Sequence, residues 1–417
     1  MTTPAALSGS TAASFDRLWA ELAAIGRDPA GGYRRHAYTA PELALREWFT
    51  ATAADGGLEV EEDRAGNLWA WWGTSPPPGV AGDQRAIVAG SHLDSVPRGG
   101  AFDGPLGVVS ALLAVGELRG RGFTPRRPMA VVAFADEEGS RFGVACAGSR
   151  LLTGQLAPDR ARSLTDDDGV SMAEALRASG RDPARLGPEP DRVAAIGVYV
   201  ELHIEQGRAL VDVDAPIGIG SLIRPHGRWR FDLAGRADHA GTTRLRDRDD
   251  PMLLQARLVL TARSVAEACG GEGAVATVGR VIVEPNAVNA IPAQVTAWLD
   301  ARADTQAEVR DMVARVSGEV GVTAVEESWS PAVQLDPVLA DDLARILAPR
   351  LGPLPRLATG AGHDAGILAA AGVPSAMLHV RNPTGVSHAP EEHVDRDDCL
   401  AGVAALTDVL ADLATAP

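Results

Sequence analysis

Two almost unbroken apolar runs, "RAIVAGSHL" (Arg85 to Leu93) and "PMAVVAFADEEG" (Pro128 to Gly139), decide most of what this chain can become. A strand with one wet face alternates polar and apolar residues, so a continuous run predicts a strand covered on both faces. Between them, "GVVSALLAVGELRGRG" has the length and spacing of a helix. Together they predict an α/β fold: a largely parallel sheet flanked by helices. Ligands of such open sheets gather at the carboxyl ends of the strands. "SHLD" and "ADEEG" both fall at such ends.

"SFDRLWAELAAIG" and "PELALREWFTATAADG" read as amphipathic helices closed by Gly. From about Pro216 the pattern changes. "GRWRFDLAGRA" and "AVATVGRVIVEPNAVNAIPAQVTAWLDARA" carry alternating strands, punctuated by two helical runs. This segment reads as a smaller α+β, βαββαβ-like insertion. The expected organisation is a catalytic domain over 1–215, an inserted lid or dimerisation domain over 216–330, and the catalytic domain resumed over 331–417.

A net charge of −16 argues against a nucleic-acid or anionic-membrane surface, both of which call for a basic face. No window reaches the roughly 20 apolar residues of a membrane-spanning helix. "MTTPAALSGSTAASF" has neither the basic nor the apolar region of a secretory signal. Cys146, Cys269 and Cys399 are few, odd in number and far apart, which predicts a reducing, cytoplasmic setting without disulfides.

Five segments place acid or imidazole groups where strands should end. They hold His92, Asp94 and Asp103; Glu137 and Glu138; His203; His363 and Asp364; and His388. Taken singly, each is an ordinary polar residue or helix cap, and "EE" before Gly is an ordinary turn. Together, imidazoles and carboxylates suit borderline divalent metals such as zinc, manganese, cobalt or nickel. Adjacent Glu137 and Glu138 point apart at a strand end, so one can bind metal while the other handles protons. Asp94, two residues from His92, is placed to orient that imidazole.

"GSHLDSVPRGGAFDGPLGV", "FADEEGSRFG", "ELHIEQG", "GRADHAGTT", "EPNAVNAIP", "GAGHDAG" and "GVSHAPEE" follow one another in this order across nearly the whole chain. The set resembles the M20-type dinuclear metallohydrolases, in particular their amidase branch of N-carbamoyl-L-amino acid hydrolases, β-ureidopropionases and allantoate amidohydrolases. The resemblance implies two divalent ions per subunit, zinc or manganese first, with cobalt or nickel as further candidates. His92 and His203 would hold one ion, Glu138 and His388 the other, and Asp103 would bridge them. Glu137 would be the general base and Asp94 the residue orienting His92. Gln206, His239, Asn289, Arg302 and Gly362 match positions that meet substrate. Arg302 would fork a substrate carboxylate, and His239 would steady the developing oxyanion. His226, beside Pro225 in a loop, is read as structural.

The implied reaction is hydrolysis of a ureido C–N bond in a small carboxylate-bearing molecule, releasing ammonia and carbon dioxide. Two departures, Arg-Leu in "HAGTTRLRDRDDPM" and the charged "HVRNPTGVSHAP", favour an allantoate amidohydrolase. The alternatives are an N-carbamoyl-L-amino acid hydrolase or β-ureidopropionase and, further off, an N-acyl amino acid deacylase or peptidase. The resemblance also implies a homodimer through the inserted domain, with His239 and Asn289 reaching the partner's metal centre. Neither nucleic acid nor membrane is expected as a partner.

Overall fold

The structure is a computed structural model that describes residues 10–271 and 273–415, so the signal-free reading of residues 1–9 lies outside the described residues. The chain divides into two compact units, one of residues 1–221 with 334–417 and the other of 222–333.

The larger unit is built on a nine-stranded sheet. Its spatial order is Glu59–Glu62, Leu68–Trp72, Met129–Phe134, Ala86–His92, Ile196–Ile204, Ser375–Val380, Ile217–Ile223 and Val333–Gln334, with Arg356–Thr359 also paired to Ile217–Ile223. The four central strands, from Met129–Phe134 to Ser375–Val380, run parallel. Their flanking neighbours run antiparallel. The continuous apolar runs are explained by the two faces. Ile87, Ala89, Met129 and Val131 point into one core, which also holds the helices Thr11–Ala23, Pro105–Gly120 and Arg396–Thr415. Ala86, Val88, Ala130 and Val132 point into a second core with Trp69, Leu151 and Leu176. Each strand residue is therefore buried whichever way it faces.

The helix Pro105–Gly120 is buried almost all round, from Pro105 to Leu118. It lies directly on the sheet because residue 107 is glycine: a Cβ there would sit 2.2 Å from the Leu202 carbonyl oxygen. Gly104, which starts the helix at φ +85°, is required twice over, since a Cβ would also fall 2.4 Å from the His92 ring.

The smaller unit has a four-stranded antiparallel sheet in the order Val325–Ser330, His226–Ala234, Gln294–Arg302, Val275–Glu284. Two helices, Pro251–Cys269 and Gln306–Val320, complete a βαββαβ chain order. One face is packed and one is open, so Gln294–Arg302 alternates in burial residue by residue. Asp250 caps the first helix and Thr305 forms a capping box with Glu308 on the second. Ile217–Ile223, which the sequence reading placed with the insertion, pairs with Ser375–Val380 in the large sheet.

Candidate metal centre

Because the central strands are parallel, their carboxyl ends lie along one edge. His92 closes Ala86–His92, His203 lies one residue from the end of Ile196–Ile204, and Glu137 and Glu138 follow Met129–Phe134. His388 comes from the loop after Ser375–Val380, and Asp103 from the turn just before the buried helix. His92, Asp103 and His203 form one group whose ligand atoms lie within 4.8 Å of one another. Asp103, Glu138 and His388 form a second, also within 4.8 Å, so Asp103 belongs to both. The five residues singled out in the sequence as ligands are thus brought together in the expected division.

Asp103 Oδ1 lies 3.5 Å from His92 Nε2 and 3.1 Å from His203 Nε2, while Oδ2 lies 3.4 Å from His388 Nε2. His388 Nε2 is in turn 3.4 Å from Glu138 Oε2. The imidazoles are oriented for coordination. His92 Nδ1 faces the Asp94 carbonyl at 3.2 Å and His203 Nδ1 faces the Ile204 carbonyl at 2.9 Å. A carbonyl can only accept, so each Nδ1 carries the proton and each Nε2 presents a lone pair. Both Nε2 atoms are buried and make no hydrogen bond. Such atoms are costly to bury unless a cation takes them.

The electrostatics point the same way. Burial, reinforced by the Asp103 charge, pushes Glu138 up to about 7. Burial and the like charges of Asp364 and Glu138 hold Glu137 well above the usual carboxylate range, against the pull of His92. Burial opposes it, but the Asp103 hydrogen bond and the Glu138 charge raise His388 to about 9. Crowded carboxylates of this kind are what a divalent cation relieves. The residues present therefore fit a metal pair.

Asp94 does more than the sequence suggested. Its side chain is 3.6 Å from His92 Nδ1, and its two oxygens accept the amides of Glu137 and Glu138, each at 3.1 Å. It thus fixes the imidazole and both glutamates at once. Glu137 Oε2 lies 3.7 Å from His92 Nε2, beside the first group. Gln206 Nε2 donates to Asp103 Oδ2 at 2.8 Å. Gly362 sits in the loop leading to the helix Asp364–Ala370. Of the proposed ligands His388 is the exposed one, and it adopts φ +56°. Asp136 and Cys146, beside Glu137 in sequence and in space, are also left-handed, at +53° and +55°. Non-glycine residues in that region are strained, and these three lie close to Glu137 and Glu138.

The site holds residues that sequence reasoning did not assign. The Cys146 thiol donates to Glu137 Oε1 at 3.2 Å. Glu201 accepts from Ser91 Oγ at 2.7 Å and from the Ala365 amide at 3.0 Å, and forms a third close group with His203 and His363. The His363 ring packs edge-on against His203, 4.6 Å between centroids. Glu392 accepts the amides of Phe102 and Asp103. Glu201 and Glu392 stand in the quoted motifs "ELHIEQG" and "GVSHAPEE", but their partners lie more than 100 residues away, so the motifs alone give neither a role.

His239, Asn289 and Arg302 lie in the smaller unit. The two-residue strands Asp238–His239 and Ala290–Ile291 pair there, with His239 opposite Ala290 and the Ala240 amide donating to the Asn289 carbonyl at 3.0 Å; His239 and Asn289 are both exposed. His239 Nδ1 accepts the Gly241 amide at 3.0 Å. Arg302 ends its strand opposite His226, and its guanidinium forks Asp300 at 2.8 and 3.0 Å. His226 is itself a strand residue whose Nδ1 is 3.1 Å from the Arg224 carbonyl, in keeping with a structural role.

Comparison with known proteins agrees with this architecture. The model of peptidase family M20/M25/M40 matches residues 88–412. The N-carbamoyl-L-amino acid amidohydrolase of Geobacillus stearothermophilus is 38% identical over 96% of this chain and 98% of its own. The allantoate amidohydrolase of Escherichia coli is 32% identical over 94% of this chain and 96% of its own. The solved amidase of the hydantoinase/carbamoylase family from Burkholderia vietnamiensis superposes with a TM-score of 0.85 at 28% identity, covering 98% of this chain and 100% of that one. With the family model matched over most of its length and full-length relatives above 30% identity, the chain belongs to peptidase family M20/M25/M40 and is an amidohydrolase-type member of it.

Proposed function

We propose that this protein is a metal-dependent amidohydrolase that cleaves a ureido C–N bond of a small carboxylate-bearing molecule, with release of ammonia and carbon dioxide. The observation that carries the reading is the sharing of Asp103 between two His- and carboxylate-bearing groups, with Glu137 beside them. Bound there, divalent ions would lower the pKa of a water from about 15.7 to roughly 7, which matters because a ureido carbonyl is a poor electrophile. His92, His203, Glu138, His388 and Asp103 are the residues to hold them. Glu137, raised well above its ordinary range, accepts the proton of the attacking water and returns it to the departing nitrogen. Asp94 keeps Glu137 in place through its amide. Arg302 takes the substrate carboxylate by exchanging it for Asp300, and His239 and Asn289 steady the carbonyl end.

Two substrates compete. The Arg-Leu and "HVRNP" loops favour allantoate, whereas the higher identity to the Geobacillus enzyme favours N-carbamoyl-L-amino acids. An ammonia-release screen decides. It covers allantoate, N-carbamoyl-L- and D-amino acids, β-ureidopropionate and N-acyl amino acids, each with zinc, manganese, cobalt and nickel. Release of acid from N-acyl substrates, and no ammonia from any ureido acid, would overturn the reading in favour of a deacylase or peptidase.

The same reading includes a homodimer through the smaller unit. Val275–Glu284 is an edge strand whose Val281 and Ile282 are exposed, and an apolar edge of this kind needs covering. A two-fold pairing of like edges covers both at once. Free, mostly buried thiols at Cys146, Cys269 and Cys399 suit the reducing cytoplasm in which we place the enzyme. Among the described residues no helix is long and apolar enough to cross a membrane.

A further inference from the structure

We infer that Glu392 is the positioning residue that holds Asp103 in place for both candidate metal groups. The inference rests on the metal reading above and adds a residue to which no role has been given. Glu392 is 5% exposed, and its Oε1 accepts two successive amides, Phe102 N at 2.7 Å and Asp103 N at 3.0 Å. Its other oxygen lies 3.5 Å from Ser387 Oγ, which itself donates to Asp103 Oδ2 at 3.1 Å. One carboxylate thus pins the backbone of Asp103 while its neighbour pins the side chain.

The fit is built on both sides. Gly100 leaves room for Glu392, since a Cβ there would lie 2.2 Å from Oε1. The Phe102 ring is packed against Trp19 at 4.7 Å and edge-on to His393 at 6.0 Å, so the turn cannot drift from the carboxylate. Glu392 also follows His388 by four residues. The loop that delivers one proposed ligand therefore clamps the ligand shared by both groups. Removing such outer contacts of a metal ligand typically lowers metal affinity about 10- to 100-fold.

The test uses metal-stripped full-length protein titrated with zinc alone, with thermal unfolding of the stripped protein measured in parallel. Glu392→Gln keeps an oxygen that accepts both amides, and it should bind zinc much as the parent does. Glu392→Asp keeps the charge but draws the oxygens back by one methylene, and it should weaken zinc about 10- to 100-fold at both groups together. Glu392→Asp with parental zinc affinity would overturn the inference. So would Glu392→Gln as weak as Glu392→Asp, or Glu392→Asp that loses thermal stability while binding zinc normally. Asp103→Ala serves as the control for the metal reading itself. If it binds zinc like the parent, the metal reading fails; if it loses zinc while Glu392→Asp does not, only the role of Glu392 fails.

Discussion

His203 and His239 carry the same imidazole in opposite circumstances. His203 is buried at the end of a fully buried strand, its Nδ1 engaged by a carbonyl and its Nε2 turned on Asp103. His239 is exposed on a two-residue strand, and its Nδ1 accepts an amide, which leaves the proton on Nε2. One ring is thus prepared to give a lone pair to a cation, the other to donate a hydrogen bond. The contrast extends to their neighbours. Asp94, Asp103 and Glu137 are buried; the Asp94 carboxylate accepts the Glu137 amide, and the Glu392 carboxylate accepts that of Asp103. Asn289 is exposed, and Arg302 is engaged by Asp300. A preorganised cluster shows its chemistry at rest, whereas the groups proposed to meet substrate would have to change partners first.

That difference can be broken by experiment. The largest effect should come from the braced side: chelation should abolish activity, and Asp103→Ala should strip metal from both groups rather than one, as read by elemental analysis. A metal-free sample that still turns over would dissolve the distinction. Glu137→Gln should keep its metal while turnover falls on the order of 100- to 10,000-fold, because a positioned base is lost. Near-parental turnover in that variant would move the proton transfer elsewhere. On the exposed side, His239→Ala should cost about 100- to 1000-fold in kcat if its Nε2 proton steadies an oxyanion. Mixing it with Glu137→Gln sharpens the point. Exchanged heterodimers should regain activity if His239 serves the partner's site, and none if it serves its own chain. The smallest effect belongs to Arg302→Lys, which keeps the charge and loses the fork. It should raise KM roughly tenfold, the worth of about 1.4 kcal/mol, with metal content unchanged.

The same contrast explains what could be read from sequence. The strand ends were legible because continuous apolar runs stop at "SHLD" and "ADEEG", and burial on both faces leaves no other interpretation. The candidate ligands were legible because each stands in a dense local motif. Glu392 stands in such a motif, "GVSHAPEE", but its role was not legible: its partners, Phe102 and Asp103, lie about 290 residues away and are met through backbone amides that leave no side-chain signature. The antiparallel edges of the large sheet were hidden for a related reason. A strand such as Ile217–Ile223 looks the same in sequence whichever way its neighbour runs, and its pairing with Ser375–Val380 is fixed only in space. The engagement of Arg302 by Asp300 was, by contrast, a two-residue spacing on one strand face, visible in "DAR" yet overshadowed by the resemblance.

Gly107 gives the buried helix a second task. Its missing side chain lets the helix rest on the Leu202 carbonyl, and the residues flanking that contact lead straight to Asp103 on one side and His203 on the other. The thickness of one helix–strand contact is therefore the gauge that sets the gap between Asp103 and His203. An added methyl at this point would act as a shim, prising Asp103 from His203 without touching either. Misplacement by about 1 Å can cost on the order of a hundredfold in rate. In this fold, a change filed under core packing would be felt as a change in catalysis.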